Sequence, residues 1–247
     1  MQIGLQTFTI RELLTPEKLS ETFARIAGMG IHNLELAVDY LPMPFTLGTA
    51  KTVAVAAKEN GLQIHSCQIK YPTSSKDIPL TIAYMQELGA QILTNSVIDL
   101  KLLALGGPGL RRYCGMLDQL KAELAPAGIT LAHHNHHFEF KHVGGQSALL
   151  FMAENSSVDF AMDTYWTRRA GGDILSLLEA LRGRVILMHL RDFAGKADCE
   201  IGRGDIPFKE ILGAAAKADV QYGMIEQKTK TPIESVEISL QGVNHVI

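Results

Sequence analysis

Five of the nine histidines fall between His133 and His142, in the run HHNHHFEFKH. Three later apolar runs also end on polar groups: FAMD on Asp163, LMHLRD on His189 and GMIEQK on Glu226. Imidazole nitrogens and carboxylate oxygens brought together from four such places form a mixed donor set that suits Mn, Co, Zn or Mg. A metal beside a base is the equipment for removing a proton next to a carbonyl: the ion polarises the oxygen and stabilises the enediolate that forms.

Each group also has a plainer reading. His133, His137 and His142 suit the surface or the packing around it, and Asp163 could cap a helix or anchor a loop. In the fifth apolar run Ile129 and Leu131 share one face, so period-two alternation turns Thr130, Ala132, His134 and His136 to the other. The same alternation puts Asp159, Ala161 and Asp163 together. Around His189 both faces are apolar, which leaves its direction open and a buried structural histidine possible.

The elements that must position these groups are legible as a rhythm. Short β-rich runs at Ile3 to Thr7, Asn33 to Ala37, Gln63 to Cys67, Gln91 to Thr94, Ile129 to His134, Val158 to Asp163, Val185 to Leu190 and Gly223 to Glu226 alternate with amphipathic stretches. Thr15-Pro16-Glu17 has the form of a helix start, and Gly30, Gly61, Gly89 and Gly128 stand where helix C-caps would precede strands. Eight β-α units in 247 residues predict an α/β fold, a single (β/α)8 TIM barrel spanning 1–247. Such barrels carry their chemistry where strands run into the following loops, and that is where the polar groups sit. The closing helix is expected over Pro232 to Leu240.

Composition narrows the function classes. A net charge of −3 gives no basic footprint for nucleic acid. The three cysteines are odd in number and widely spaced, so neither a disulfide framework nor a zinc ribbon is indicated. No membrane-length apolar run or signal-peptide pattern occurs, and a cytoplasmic location is expected. The absence of G-x-G-x-x-G and G-x-x-x-x-G-K-[ST] argues against dinucleotide and P-loop nucleotide binding.

HHNHHFEF, FAMDTYW, LMHLRD with GRGDIPF, and MIEQK, in that order, resemble the xylose isomerase-like TIM barrel superfamily of sugar phosphate isomerases and epimerases. The likeness is greatest to its inosose dehydratase and 3-keto-sugar isomerase or lyase branch. It implies a divalent metal held by Asp163, His189, Glu226 and a strand-five acid. Relatives carry a glutamate near the place of His134; here Glu139, five residues on, is the expected ligand, with His134 the alternative. Arg191 and Arg203 stand where the branch usually has a lysine and an acid, and Arg191 offers a planar fork suited to carboxylate or phosphate.

The expected activity is therefore a metal-dependent sugar isomerase or epimerase, with Glu226, His136 and His134 as the catalytic groups. Glu35, His65, Trp166 and Arg191 are the expected substrate contacts, with Lys70 nearby. One alternative is a lyase or dehydratase on a keto-sugar or inosose, which shares the first proton removal. Another is a catalytically silent barrel that binds a sugar or a protein. Phosphodiester cleavage on damaged DNA, also found in the superfamily, calls for three metals and further ligands that the first half of the chain scarcely supplies. The expected partner is a small sugar or polyol, and the shortness of the chain after the last strand raises the expectation of a homo-oligomer that completes an open site.

Overall fold

A computed structural model of the chain describes residues 1–246. Eight parallel strands close on themselves: β1 (Gln2–Gln6), β2 (Asn33–Ala37), β3 (Gln63–Ile69), β4 (Ile92–Asn95), β5 (Thr130–His134), β6 (Asp159–Asp163), β7 (Val185–Leu190) and β8 (Tyr222–Ile225). β1 pairs with both β2 and β8, which shuts the barrel. The strands expected from the sequence are present to within two residues at every end.

Around them run α1 (Leu19–Gly28), α2 (Leu47–Glu59), α3 (Ile78–Leu88), α4 (Gly106–Leu124), α5 (Ala148–Asn155), α6 (Ile174–Ala180), α7 (Phe208–Lys217) and α8 (Pro232–Val246). Their inward stripes follow the helical period: Leu19, Thr22, Phe23 and Ile26 are buried in α1, and Phe208, Ile211, Leu212 and Ala215 in α7. Gly30, Gly61, Gly89 and Gly128 all have positive φ, as the C-cap reading requires. The Thr15 carbonyl accepts from the Leu19 amide, so the turn at Thr15-Pro16-Glu17 leads directly into α1. The closing helix continues past Leu240 to Val246.

Two cores result. The larger lies between strands and helices; the smaller fills the barrel axis with Ile92, Ala132, Ala161, Leu187 and Met224. Leu187 in the axis settles the parity of β7, because His189 two residues on must face the same way. Ala132 and Ala161 likewise bring His134 and Asp163 inward.

Two short hairpins were not foreseen: His142–Val143 with Gln146–Ser147, and Asp192–Ala194 with Ala197–Cys199. They decorate the C-terminal ends of β5 and β7. Among the described residues no helix is long and apolar enough to cross a membrane.

Candidate active site

His134, Asp163 and His189 end or nearly end β5, β6 and β7, and Glu226 follows β8 by one residue. One donor atom from each lies within 4.8 Å of those of the other three, and all four residues are buried. The atoms turned toward one another are His134 Nε2, Asp163 Oδ2, His189 Nδ1 and Glu226 Oε2, and none of them has a hydrogen-bond partner. Buried polar atoms are rarely left so, and four at one point form a place for a shared ligand.

The outer atoms of the same side chains are held. His134 Nδ1 lies 3.2 Å from the Ser96 carbonyl, to which it donates when its Nε2 is left as a lone pair. His189 Nε2 bonds Glu35, which is fully buried behind it, while Nδ1 lies 3.0 Å from Glu226 and 4.0 Å from Asp163. Asp163 divides its oxygens: Oδ1 accepts the Trp166 amide at 2.7 Å as the N-cap of the helix Thr164–Arg169, leaving Oδ2 for the cluster. The cap reading and the ligand reading of Asp163 are thus compatible. Two fixed imidazoles and two carboxylates, all buried, could hold a metal ion, and their outer partners are of the kind that orient metal ligands.

The local charges bear on protonation. Burial pulls His189 down, but Glu35 and Glu226 outweigh it and raise the imidazole to about 10. Burial pushes Glu226 up, yet Arg191 and His189 prevail and hold its carboxyl below the usual range. Asp163 is raised, chiefly by burial, against the pull of Arg191. His134 and His136 are each pushed down to about 3 by burial and by a neighbouring imidazole.

Above the cluster opens a cavity of about 570 Å³. His136 and Trp166 line it with ring centroids 5.0 Å apart, and Phe8 and Tyr40 line it as an edge-to-face pair at 4.9 Å. Gln68 and Lys70 contribute polar lining from the end of β3.

The remaining expected residues are placed differently. Glu139 does not join the cluster: the chain after His136 winds into the tight turn His137–Phe140, which carries the carboxylate outside the barrel wall. There it is fully buried, with Oε1 3.1 Å from His133 Nε2 and Oε2 accepting the His136 amide at 2.8 Å. His134 occupies the fourth place instead. His65 does not line the cavity; it lies toward the opposite, N-terminal mouth, stacked on Tyr222 at 4.6 Å and bonded to Asn33 at 2.8 Å. Position within the strand explains this, since His65 is the third residue of β3 and a cavity residue must come from its end. Glu35 also stays out of the cavity lining and supports His189 from behind.

Arg191 lines the cavity, but its guanidinium is engaged. Nη1 lies 3.1 Å from Glu226 and 3.5 Å from Asp163, and Nη2 bonds Asp198. Arg203 is on the exterior beside Glu200. Asp198 was missed by the sequence reading, because the hairpin that brings it back to the site has strands of only three residues. The available signal was Asp192 of LMHLRD, whose carboxylate accepts the amides of Gly202, Gly204 and Ile206 and ties GRGDIPF to the hairpin.

No protein-family model and no curated protein matches the sequence. Solved structures do match. A sugar phosphate isomerase/epimerase from Parabacteroides distasonis superposes with a TM-score of 0.84 at 20% identity, covering 100% of this chain and 95% of that one. The 3-keto-D-glucoside 4-epimerase of E. coli gives 0.73 at 18%, covering 99% of each chain. A D-allulose 3-epimerase from Methylomonas sp. gives 0.75 at 11%, covering 100% and 98%. At these identities the likeness establishes a shared fold.

Proposed function

We propose that the chain is a divalent-metal-dependent isomerase or epimerase that removes a proton from a sugar carbon next to a carbonyl. The observation that carries this reading is the set of four buried, mutually facing atoms of His134, Asp163, His189 and Glu226 that lack a hydrogen-bond partner. Two of the four, His134 and Glu226, line the cavity with aromatic walls, and similarly folded structures include sugar isomerases and epimerases. These four residues would hold the ion. When bound, a divalent metal supplies Lewis-acid polarisation of carbonyl and adjacent hydroxyl oxygens.

The protein's own groups do the rest. Trp166 and the Phe8–Tyr40 pair offer apolar surface to the C–H faces of a sugar, while Gln68 and Lys70 offer polar groups to its hydroxyls. His136, kept neutral by burial, can accept a proton at its free ring nitrogen and return it. Glu226 stays ionised and can do the same from β8, three strands round the barrel from β5. Two proton-transfer groups approaching one substrate from different sides suit inversion at carbon.

The test is elemental analysis of the purified protein beside an Asp163→Ala/His189→Ala double variant, followed by incubation with D-fructose in heavy water. The expected result is one equivalent of Mn, Co, Zn or Mg in the wild type, its loss in the double variant, and wild-type-only entry of deuterium next to the carbonyl. A wild-type protein that holds none of these metals even after soaking overturns the reading and favours a silent barrel.

A further inference from the structure

Arg191 sits against the acidic wall of the candidate metal site. Its side chain is 6% exposed, and its guanidinium carbon lies 4.6 Å from the centroid of the Tyr165 ring. The guanidinium reaches three carboxylates, Asp163, Glu226 and Asp198. Two of these belong to the four-residue cluster. A cation so engaged is not a free anchor for a substrate carboxylate or phosphate, and its charge falls instead on the groups that would bind the metal.

We propose that Arg191 is a resident counter-cation of this site: it neutralises Asp163 and Glu226 in the metal-free protein and thereby weakens and sets the affinity for a divalent metal, with Asp198 anchoring it at the edge. This rests on reading the cluster as a metal site. Two carboxylates buried together are costly unless a cation compensates them, and Arg191, at 3.1 and 3.5 Å, contributes to that compensation beside the His189 ring, which lies 3.0 Å from Glu226. A guanidinium does not shed its proton under working conditions, so repulsion between it and an incoming dication persists. A lysine at the same place could relieve that repulsion by deprotonation. The remaining relief is displacement toward another anion, and Asp198 is that anion. It belongs to a hairpin outside the barrel sheet, so its position is set separately from the four cluster residues.

The experiment uses the full chain, freed of metal, and Mn²⁺ as the probe: calorimetric titration, and the unfolding midpoint with and without Mn²⁺, for the wild type, Arg191→Met and Asp198→Asn. Removal of a unit charge this close predicts that Arg191→Met binds Mn²⁺ about tenfold tighter or more. Its metal-free form should unfold at a lower temperature, so that Mn²⁺ raises its midpoint further than that of the wild type. Asp198→Asn should bind Mn²⁺ about tenfold more weakly, since the guanidinium then rests on Asp163 and Glu226 alone and one attracting charge is gone. Unchanged Mn²⁺ affinity in both variants overturns the proposal and leaves the metal site standing. Failure of the wild type and both variants to bind Mn²⁺ overturns the metal reading itself, and the proposal with it. Should Arg191→Met not fold, Asp198→Asn decides alone, and affinity equal to or above the wild type overturns the proposal.

Discussion

Glu139 is a buried carboxylate whose two oxygens take one proton donor each, the ring of His133 and the backbone of His136. Removing it leaves the fully buried His133 ring and the partly buried His136 amide without their acceptor, and a buried donor so stranded costs about 1–3 kcal/mol. Glu139→Ala should therefore lower stability by roughly 2–5 kcal/mol, and Glu139→Gln by less, since its amide keeps one acceptor oxygen. Urea unfolding measures both. Metal content should stay at the wild-type level in the folded Glu139→Gln protein; loss of metal there would restore Glu139 as a ligand and count against His134. The same residue marks how far the site could be read in advance. Asp163, His189 and Glu226 end apolar runs, so strand position pointed to them, and alternation fixed the direction of Asp163; the direction of His189, in a run apolar on both faces, is fixed only by Leu187 in the axis. Glu139 lies beyond a strand end, in a tight turn where side-chain direction has no two-residue period, and only the folded backbone shows which side of the wall it takes.

The segment from Arg191 to Phe208 shows one loop arranging a site through backbone contacts. Asp192 is fully buried and gathers the amides of Gly202, Gly204 and Ile206, which folds the GRGDIPF stretch against the hairpin that carries Asp198 to Arg191. Gly204 is required by proximity: a Cβ there would lie 2.2 Å from Asp192 Oδ1 and 2.6 Å from the Phe193 carbonyl oxygen. Gly204→Ala must push the loop off the carboxylate, at a cost of roughly 2–3 kcal/mol from overpacking and lost hydrogen bonds. In a chain of this size that lowers the melting temperature by about 4–12 °C. Gly213→Ala in α7 is the control, because no atom lies within 4 Å of its added Cβ and alanine is the better helix former. Scanning calorimetry of the pair checks this, and equal midpoints would mean that the loop accommodates the methyl group and Asp192 is not its organiser. The hairpin itself was not legible, since three-residue strands give too short an alternation to stand out from loop.

The barrel as a whole was far more legible than its loops, and the reason is physical. Eight strands buried on both faces read as continuous apolar runs, the helices between them bury one stripe each, and glycines in the left-handed region mark where helices stop. What the sequence left open was the division of the core, because an apolar residue in a parallel strand looks the same whether it faces a helix or the axis. In the structure the axial layer consists of Ile92, Ala132, Ala161, Leu187 and Met224, with two alanines among the five. Leu187 is fully buried and lies two residues before His189, so its side chain fills the axis immediately beneath the cluster. With small alanines on β5 and β6 as neighbours, little can move in to fill the space it leaves. Leu187→Ala should therefore cost roughly 3–5 kcal/mol, toward the upper part of the range for such substitutions. Leu175→Ala, 41% exposed in α6, should cost under about 1 kcal/mol by comparison. Urea midpoints of the two variants make the measurement. A loss of less than about 1 kcal/mol in Leu187→Ala would mean that the strand–helix layer alone holds the barrel closed and that the axis beneath the cluster contributes little.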